Sequence, residues 1–226
     1  MNEDIFPLNE DSSCPIFEAT VPLRTVSGKA YQTDLNLKLY NKQTIWLRGR
    51  SGTGKTTVLR TIARLIEDPT IKMKHRGVSF CHIPPRNWRR SVLYVSQRPV
   101  LFRGSIRENI LKPFELKLNR DSIPHIETVV SLLRKLDLPD SLLERDALTL
   151  SVGEMARICL VRALLINPDV LLLDEPTASL DSQSRIAVAM ILKQWLSESE
   201  GGIIGVTHDS TLTEMVPGLD IHLGQP

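Results

Sequence analysis

Gly49-Arg50-Ser51-Gly52-Thr53-Gly54-Lys55-Thr56 follows the pattern G-x-x-x-x-G-K-[ST], whose residue types suit a nucleoside triphosphate. A loop that wraps phosphates must aim successive backbone N–H groups inward, and side chains there would obstruct the approach, hence the glycines. A helix beginning at the loop presents its positive end to the phosphates, Lys55 adds a formal charge, and the Thr56 hydroxyl can ligate Mg²⁺. The run Thr44-Ile45-Trp46-Leu47 ahead of the loop is short, apolar and β-prone, while Val58, Leu59, Ile62, Leu65 and Ile66 behind it recur at helical spacing. Strand, glycine loop, helix is the predicted order, with Gly49 through Thr57 as the nucleotide-binding residues.

The rest of the chain must hold that loop in place. With 226 residues and 42% hydrophobic content it can bury a full core, as one domain or one domain with an insertion. Residues 1–13 are polar and turn-rich and read as a flexible tail, with order beginning near Cys14. Phe17 to Leu23, and the alternating Leu35, Leu37 and Leu39, predict a small antiparallel sheet with one wet face. His82-Ile83-Pro84-Pro85 predicts a loop before a buried strand at Leu93-Tyr94-Val95. Between about 100 and 150 the pattern turns helical, with Ile126, Val129, Val130, Leu133 and Leu136 on one stripe closed by Pro139. A helix around Met155 to Leu165, a strand Val170 to Leu173, a helix from about Ser182 to Leu196 and a strand Ile203 to Val206 imply a parallel sheet with functional loops at its carboxyl ends.

Composition narrows the partners. A net charge of +2 leaves no nucleic-acid footprint, and Arg86, Arg89 and Arg90 read as a solvated face. No apolar stretch approaches the roughly 20 residues that span a bilayer, and the N-terminus lacks the basic start of a secretory signal, so the chain is expected to be neither inserted nor exported. Cys14, Cys81 and Cys159 have no pairing or metal spacing and read as reduced structural thiols.

Further segments occur in a fixed order: Gln97 just past the strand ending at Val95, Leu150-Ser151-Val152-Gly153-Glu154, Asp174-Glu175-Pro176-Thr177, Ala178-Ser179-Leu180-Asp181, and Thr207-His208-Asp209. In this order and spacing they resemble the ATPase subunit of ABC transporters, over nearly the whole stretch from Phe17 to Leu223. The resemblance implies an α/β P-loop NTPase of the ABC ATPase type: a mostly parallel sheet core, an N-terminal antiparallel β subdomain and an inserted helical subdomain, in one domain over 14–226.

The same resemblance assigns roles. Val170 to Glu175 looks like the Walker B strand, where Asp174 holds Mg²⁺ and Glu175 acts as the general base toward the attacking water. Two surface carboxylates capping a helix are the bland alternative for this pair. His208 matches the switch histidine that reaches the γ-phosphate, against the alternative of an ordinary structural histidine. Gln97 is read as a Mg²⁺ and water contact, and Lys55 as a catalytic cation. Ser151, Gly153 and Glu154 resemble the signature loop, which binds the ATP held by a second copy of the chain. ATP and Mg²⁺ are thus the expected cofactors, and an integral membrane permease and a twin subunit the expected partners, at the inner face of the cell membrane.

Departures from the family pattern carry expectations of their own. Val152 stands where a glycine is usual, and a β-branched residue is costly if that position needs positive φ or close backbone approach. The aromatic ring that usually stacks on adenine has no clear counterpart at Leu23 to Val26, and Tyr31 reads as part of a strand edge. Leu101 to Ile110 resembles the segment leading into a permease-docking insertion, and the stretches 80–90 and 136–143 look most like ATPases for bacterial metal-ion export, especially of iron. The alternative is a soluble ABC-type ATPase that acts as a nucleotide-driven switch without transport.

Overall fold

The computed structural model describes residues 14–24 and 30–223, and only the backbone of 23–24 and 30–33. The N-terminal tail and the adenine-stacking segment therefore lie outside the described side chains. Two sheets form the frame. β1 (Phe17–Arg24) pairs antiparallel with β2 (Ala30–Leu39), and β3 (Thr44–Arg48) leads into the glycine loop and α1 (Lys55–Ile62). β4 (Lys72–His75) and β5 (Val78–Ser79) complete the antiparallel sheet, in the order β2-β1-β4-β5. Next come α2 (Pro85–Ser91), β6 (Val92–Val95), α3 (Ile106–Leu111), α4 (Ile126–Lys135) and α5 (Val152–Ile166). β7 (Val170–Asp174), α6 (Ser182–Glu198), β8 (Gly202–Val206), α7 (Ser210–Met215) and β9 (Leu219–His222) close the chain. The second sheet is parallel throughout, ordered β6-β7-β8-β3-β9.

Burial follows from these layers. β7 and β8 lie inside the parallel sheet and are buried along their whole length, which their continuous apolar runs allow. One core fills the space between the sheets, where Phe17, Leu37 and Leu39 meet Leu59, Ile62 and Trp88. The other lies on the opposite face of the parallel sheet, where Leu171, Leu173 and Ile203 share a cluster with Ile110, Leu133 and Ile158. β2 alternates as expected, with Leu35, Leu37 and Leu39 buried and Asn36 and Lys38 exposed.

Several expectations are corrected. α1 stops at Ile62, so Leu65 and Ile66 fall beyond it and are exposed; Arg64 turns to φ 56° and its guanidinium donates to the carbonyls of Phe80 and Ile83. The prolines do not merely interrupt. Pro85 is the first residue of α2, where a missing N–H is harmless and φ is preset. β6 is half-buried rather than buried, with only Val92 fully enclosed, because it is an edge strand paired to β7 alone. Between 100 and 150 the helices are short, α3 and α4 being joined by 3-10 turns. Cys159 is buried, but Cys14 and Cys81 are exposed rather than structural core thiols.

Candidate nucleotide site

β3, buried at Thr44 to Leu47, delivers the chain to the glycine loop at the carboxyl edge of the parallel sheet. A Cβ on Gly49 would come 2.9 Å from the Leu223 carbonyl oxygen, and Gly54, at φ 90°, caps the start of α1 in a left-handed conformation. Lys55 is only 8% exposed, and its ammonium donates to the carbonyls of Gly49 at 2.7 Å and Arg50 at 3.0 Å. The Thr53 hydroxyl donates to the Arg50 carbonyl at 2.9 Å, closing the loop from its other side. No acidic residue occupies the first turn of α1, which leaves its positive end free for an anion.

Asp174 emerges at the end of β7 beside this loop. It is 2% exposed, and its two oxygens have different donors: Oδ1 accepts from the Thr56 hydroxyl at 3.0 Å, and Oδ2 from the Tyr94 hydroxyl at 2.7 Å. Burial, and then the bond to Asp174, push the Tyr94 phenol well above its ordinary range. A hydroxyl and a carboxylate meeting at a phosphate-binding loop form the hard oxygen set that Mg²⁺ prefers.

Glu175 follows at φ 49°, an uncommon conformation for a glutamate, costing on the order of 1–3 kcal/mol and held by its own N–H donating to the Val206 carbonyl at 2.9 Å. Its side chain is thereby brought under the loop that follows β8. Oε2 accepts from the His208 backbone N–H at 3.2 Å, and His208 Nε2 lies 3.4 Å from Oε1. The imidazole is largely exposed, its side chain 71% accessible against 15% for Glu175. Arg48 fixes this corner: its Nη1 donates to the Thr207 carbonyl at 3.0 Å while its Nε bonds Asp220 on β9 at 2.8 Å.

The remaining predicted residues stand apart from this cluster. Gln97 is exposed in the loop after β6. Ser151 caps α5: its hydroxyl accepts from Glu154 N–H at 3.2 Å, and Glu154 Oε2 accepts from the Ser151 N–H and hydroxyl, both at 2.8 Å. These bonds hold the Glu154 carboxyl below its usual range. Val152 occupies the first turn of α5, is 53% exposed and is not among the residues at positive φ, so the expected strain is absent. Close approach falls to Gly153 instead, where a Cβ would lie 3.1 Å from the Ser179 carbonyl oxygen in the loop following Glu175.

Residues 32–178 match the family described as ABC transporter. The chain belongs to that family. It is 33% identical over 176 residues to the probable iron export ATP-binding protein FetA of Escherichia coli (strain K12), covering 78% of this chain and 77% of that protein. It is 28% identical over 215 residues to the nickel import ATP-binding protein NikE of Brucella abortus (strain 2308), covering 92% and 80%. A solved structure titled "Structure of ATP binding subunit of ABC transporter" superposes with a TM-score of 0.80 at 21% identity, over 92% of this chain and 85% of that one, and shares the fold.

This ABC transporter ATP-binding subunit therefore carries the α/β fold implied by its motifs, and subunits of its kind bind and hydrolyse ATP. The structure brings Lys55, Thr56, Asp174, Glu175 and His208 to one edge of the parallel sheet, and leaves Gln97, Ser151 and Val152 exposed, with Gly153 and Glu154 half-buried. Tyr94 and Arg48 join the site without having been singled out in the sequence. Period-two alternation along Val92 to Val95 groups Tyr94 with Val92, but only the pairing of β6 with β7 shows that its hydroxyl reaches Asp174. Beside the glycine loop a cavity of about 240 Å³ is walled by Val21, Pro22, Thr53, Thr57 and Thr61, and among the described residues no aromatic ring lines it.

Proposed function

We propose that this subunit closes as a homodimer around two Mg²⁺–ATP, hydrolyses them and drives a separate membrane permease from the cytoplasmic face, exporting a metal ion. The observation that carries the hydrolytic part is the convergence of Thr56 on Asp174 and of His208 on Glu175 from three separate segments, the start of α1, the end of β7 and the loop after β8. Lys55 would exchange its loop carbonyls for phosphate oxygens and stabilise charge there. Thr56 and Asp174 would hold Mg²⁺, with Gln97 completing the set, and the ion supplies neutralisation of phosphate charge. Glu175 accepts the proton of the attacking water, and His208, bonded to the same carboxylate, keeps it oriented.

Ser151, Gly153 and Glu154 are read as the edge that meets the nucleotide of the second copy, which makes closure depend on the γ-phosphate. Permease docking is supported by exposed apolar side chains around the helical insertion: Val100, Phe102, Leu116 and Ile123 are each more than half exposed. Among the described residues no helix is long and apolar enough to cross a membrane. Outward movement of a metal ion is supported by the likeness to the protein named for iron export. The relative named for nickel import agrees in the class of cargo and differs in direction.

E175Q tests this reading. It should keep ATP bound while phosphate release falls about 100- to 10,000-fold, and vesicles holding the permease should move the metal ion outward with the wild-type subunit only. Undiminished phosphate release from E175Q would remove Glu175 from its role.

A further inference from the structure

We infer that Tyr94 is a positioning residue for the metal-binding carboxylate, holding Asp174 in the orientation that receives the divalent cation accompanying the nucleotide. This rests on the proposed Mg²⁺–ATP site. Asp174 is all but closed to solvent, so each of its oxygens needs a donor or a cation. Thr56 serves Oδ1 and can keep donating to it while its oxygen ligates the metal, whereas Oδ2 has Tyr94 as its hydrogen-bond donor among the described residues. The phenol is well placed for this. Tyr94 is paired with Leu172 on the neighbouring parallel strand, two residues short of Asp174, and its 2.7 Å bond to Oδ2 crosses from β6 to the end of β7.

The bond has a second consequence. Tyr94 stands three residues before Gln97, at the end of an edge strand held by β7 alone, so displacement of the glutamine loop and rotation of the Asp174 carboxylate become mechanically linked. The ring also packs against the core between the sheets, which phenylalanine would preserve. Y94F thus removes the donor and little else.

The test is binding of trinitrophenyl-ATP, followed by its fluorescence, to the wild-type chain, Y94F, D174A and the double variant, in EDTA and across a Mg²⁺ titration. Tyr94 acting through Asp174 predicts that Y94F raises the Mg²⁺ needed for half-maximal enhancement of binding about 10- to 100-fold. Affinity in EDTA should stay unchanged, the melting temperature without metal should fall by only a few degrees, and adding Y94F to D174A should have no further effect on the Mg²⁺ dependence. A half-maximal Mg²⁺ concentration within twofold of wild type overturns the inference, as does an equal loss of affinity with and without Mg²⁺, which marks a structural role. If the wild-type chain binds no nucleotide, the proposed site itself fails; if it binds and responds to Mg²⁺ while Y94F behaves identically, only the role of Tyr94 does.

Discussion

Single side chains decide how the site is assembled. Asp174 and Glu175 are consecutive, yet the left-handed backbone at Glu175 turns the two carboxylates to different partners, one toward Thr56 and Tyr94, the other toward His208. Nothing in the residue order announces that turn, because glutamate disfavours it and only the bond to Val206 and the surrounding packing impose it. Val152 illustrates the opposite case, in which the type of residue suggests a strain that the backbone does not have. V152G should therefore change the melting stability of the monomer by less than about 1 kcal/mol, a glycine in the first helical turn being only mildly unfavourable. In an E175Q background the same change should strengthen ATP-driven association, measured by light scattering, because it removes an exposed isopropyl group from the face assigned to the second copy. Unchanged association would show that Val152 is compatible with closure.

Elements were legible in the sequence where one period dominated and less so where tertiary contacts overrode it. β7 and β8 could be read directly from their apolar runs, and β2 from its alternation. α5 begins three residues before its apolar pattern suggested, since the Ser151–Glu154 capping box sets its start. β4 offered no signal, as Lys72-Met73-Lys74-His75 pairs with β1 through backbone bonds and buries Met73. The joint between the two sheets was equally hidden. Asp169, just before β7, lies 3.1 Å from His75 Nε2 and accepts from Arg76 Nε at 3.0 Å, both at the end of β4. Burial alone would raise its pKa, but the bonds and charges of His75 and Arg76 outweigh that and hold the carboxyl well below the usual range. D169N should cost about 1–3 kcal/mol at neutral pH. Because the folded pKa is depressed, the wild-type advantage should be complete above the unfolded value near 4 and vanish as pH falls toward the folded one. Chemical denaturation of both proteins across that range checks it; a difference that grows in acid would contradict the assignment.

At the scale of the whole molecule, the glycine loop and the Ser151 edge belong to one chain but are read as acting on different nucleotides. The apolar side chains left exposed around the helical insertion call for another partner. F102D should sharply reduce co-purification of the permease from membranes while leaving nucleotide affinity of the purified subunit within about twofold, as Phe102 is exposed and lies outside the nucleotide cluster. Retention of the permease by F102D would move the docking surface elsewhere. The motifs implied the catalytic half of this picture by their order, and on the proposed reading the cargo is handled by the permease.

The most direct measurement is the mass in solution of E175Q with ATP and Mg²⁺, by size-exclusion chromatography with light scattering. The account predicts twice the mass of the chain with one ATP retained per subunit, reverting to the monomer with ADP. A monomer that retains ATP would contradict it.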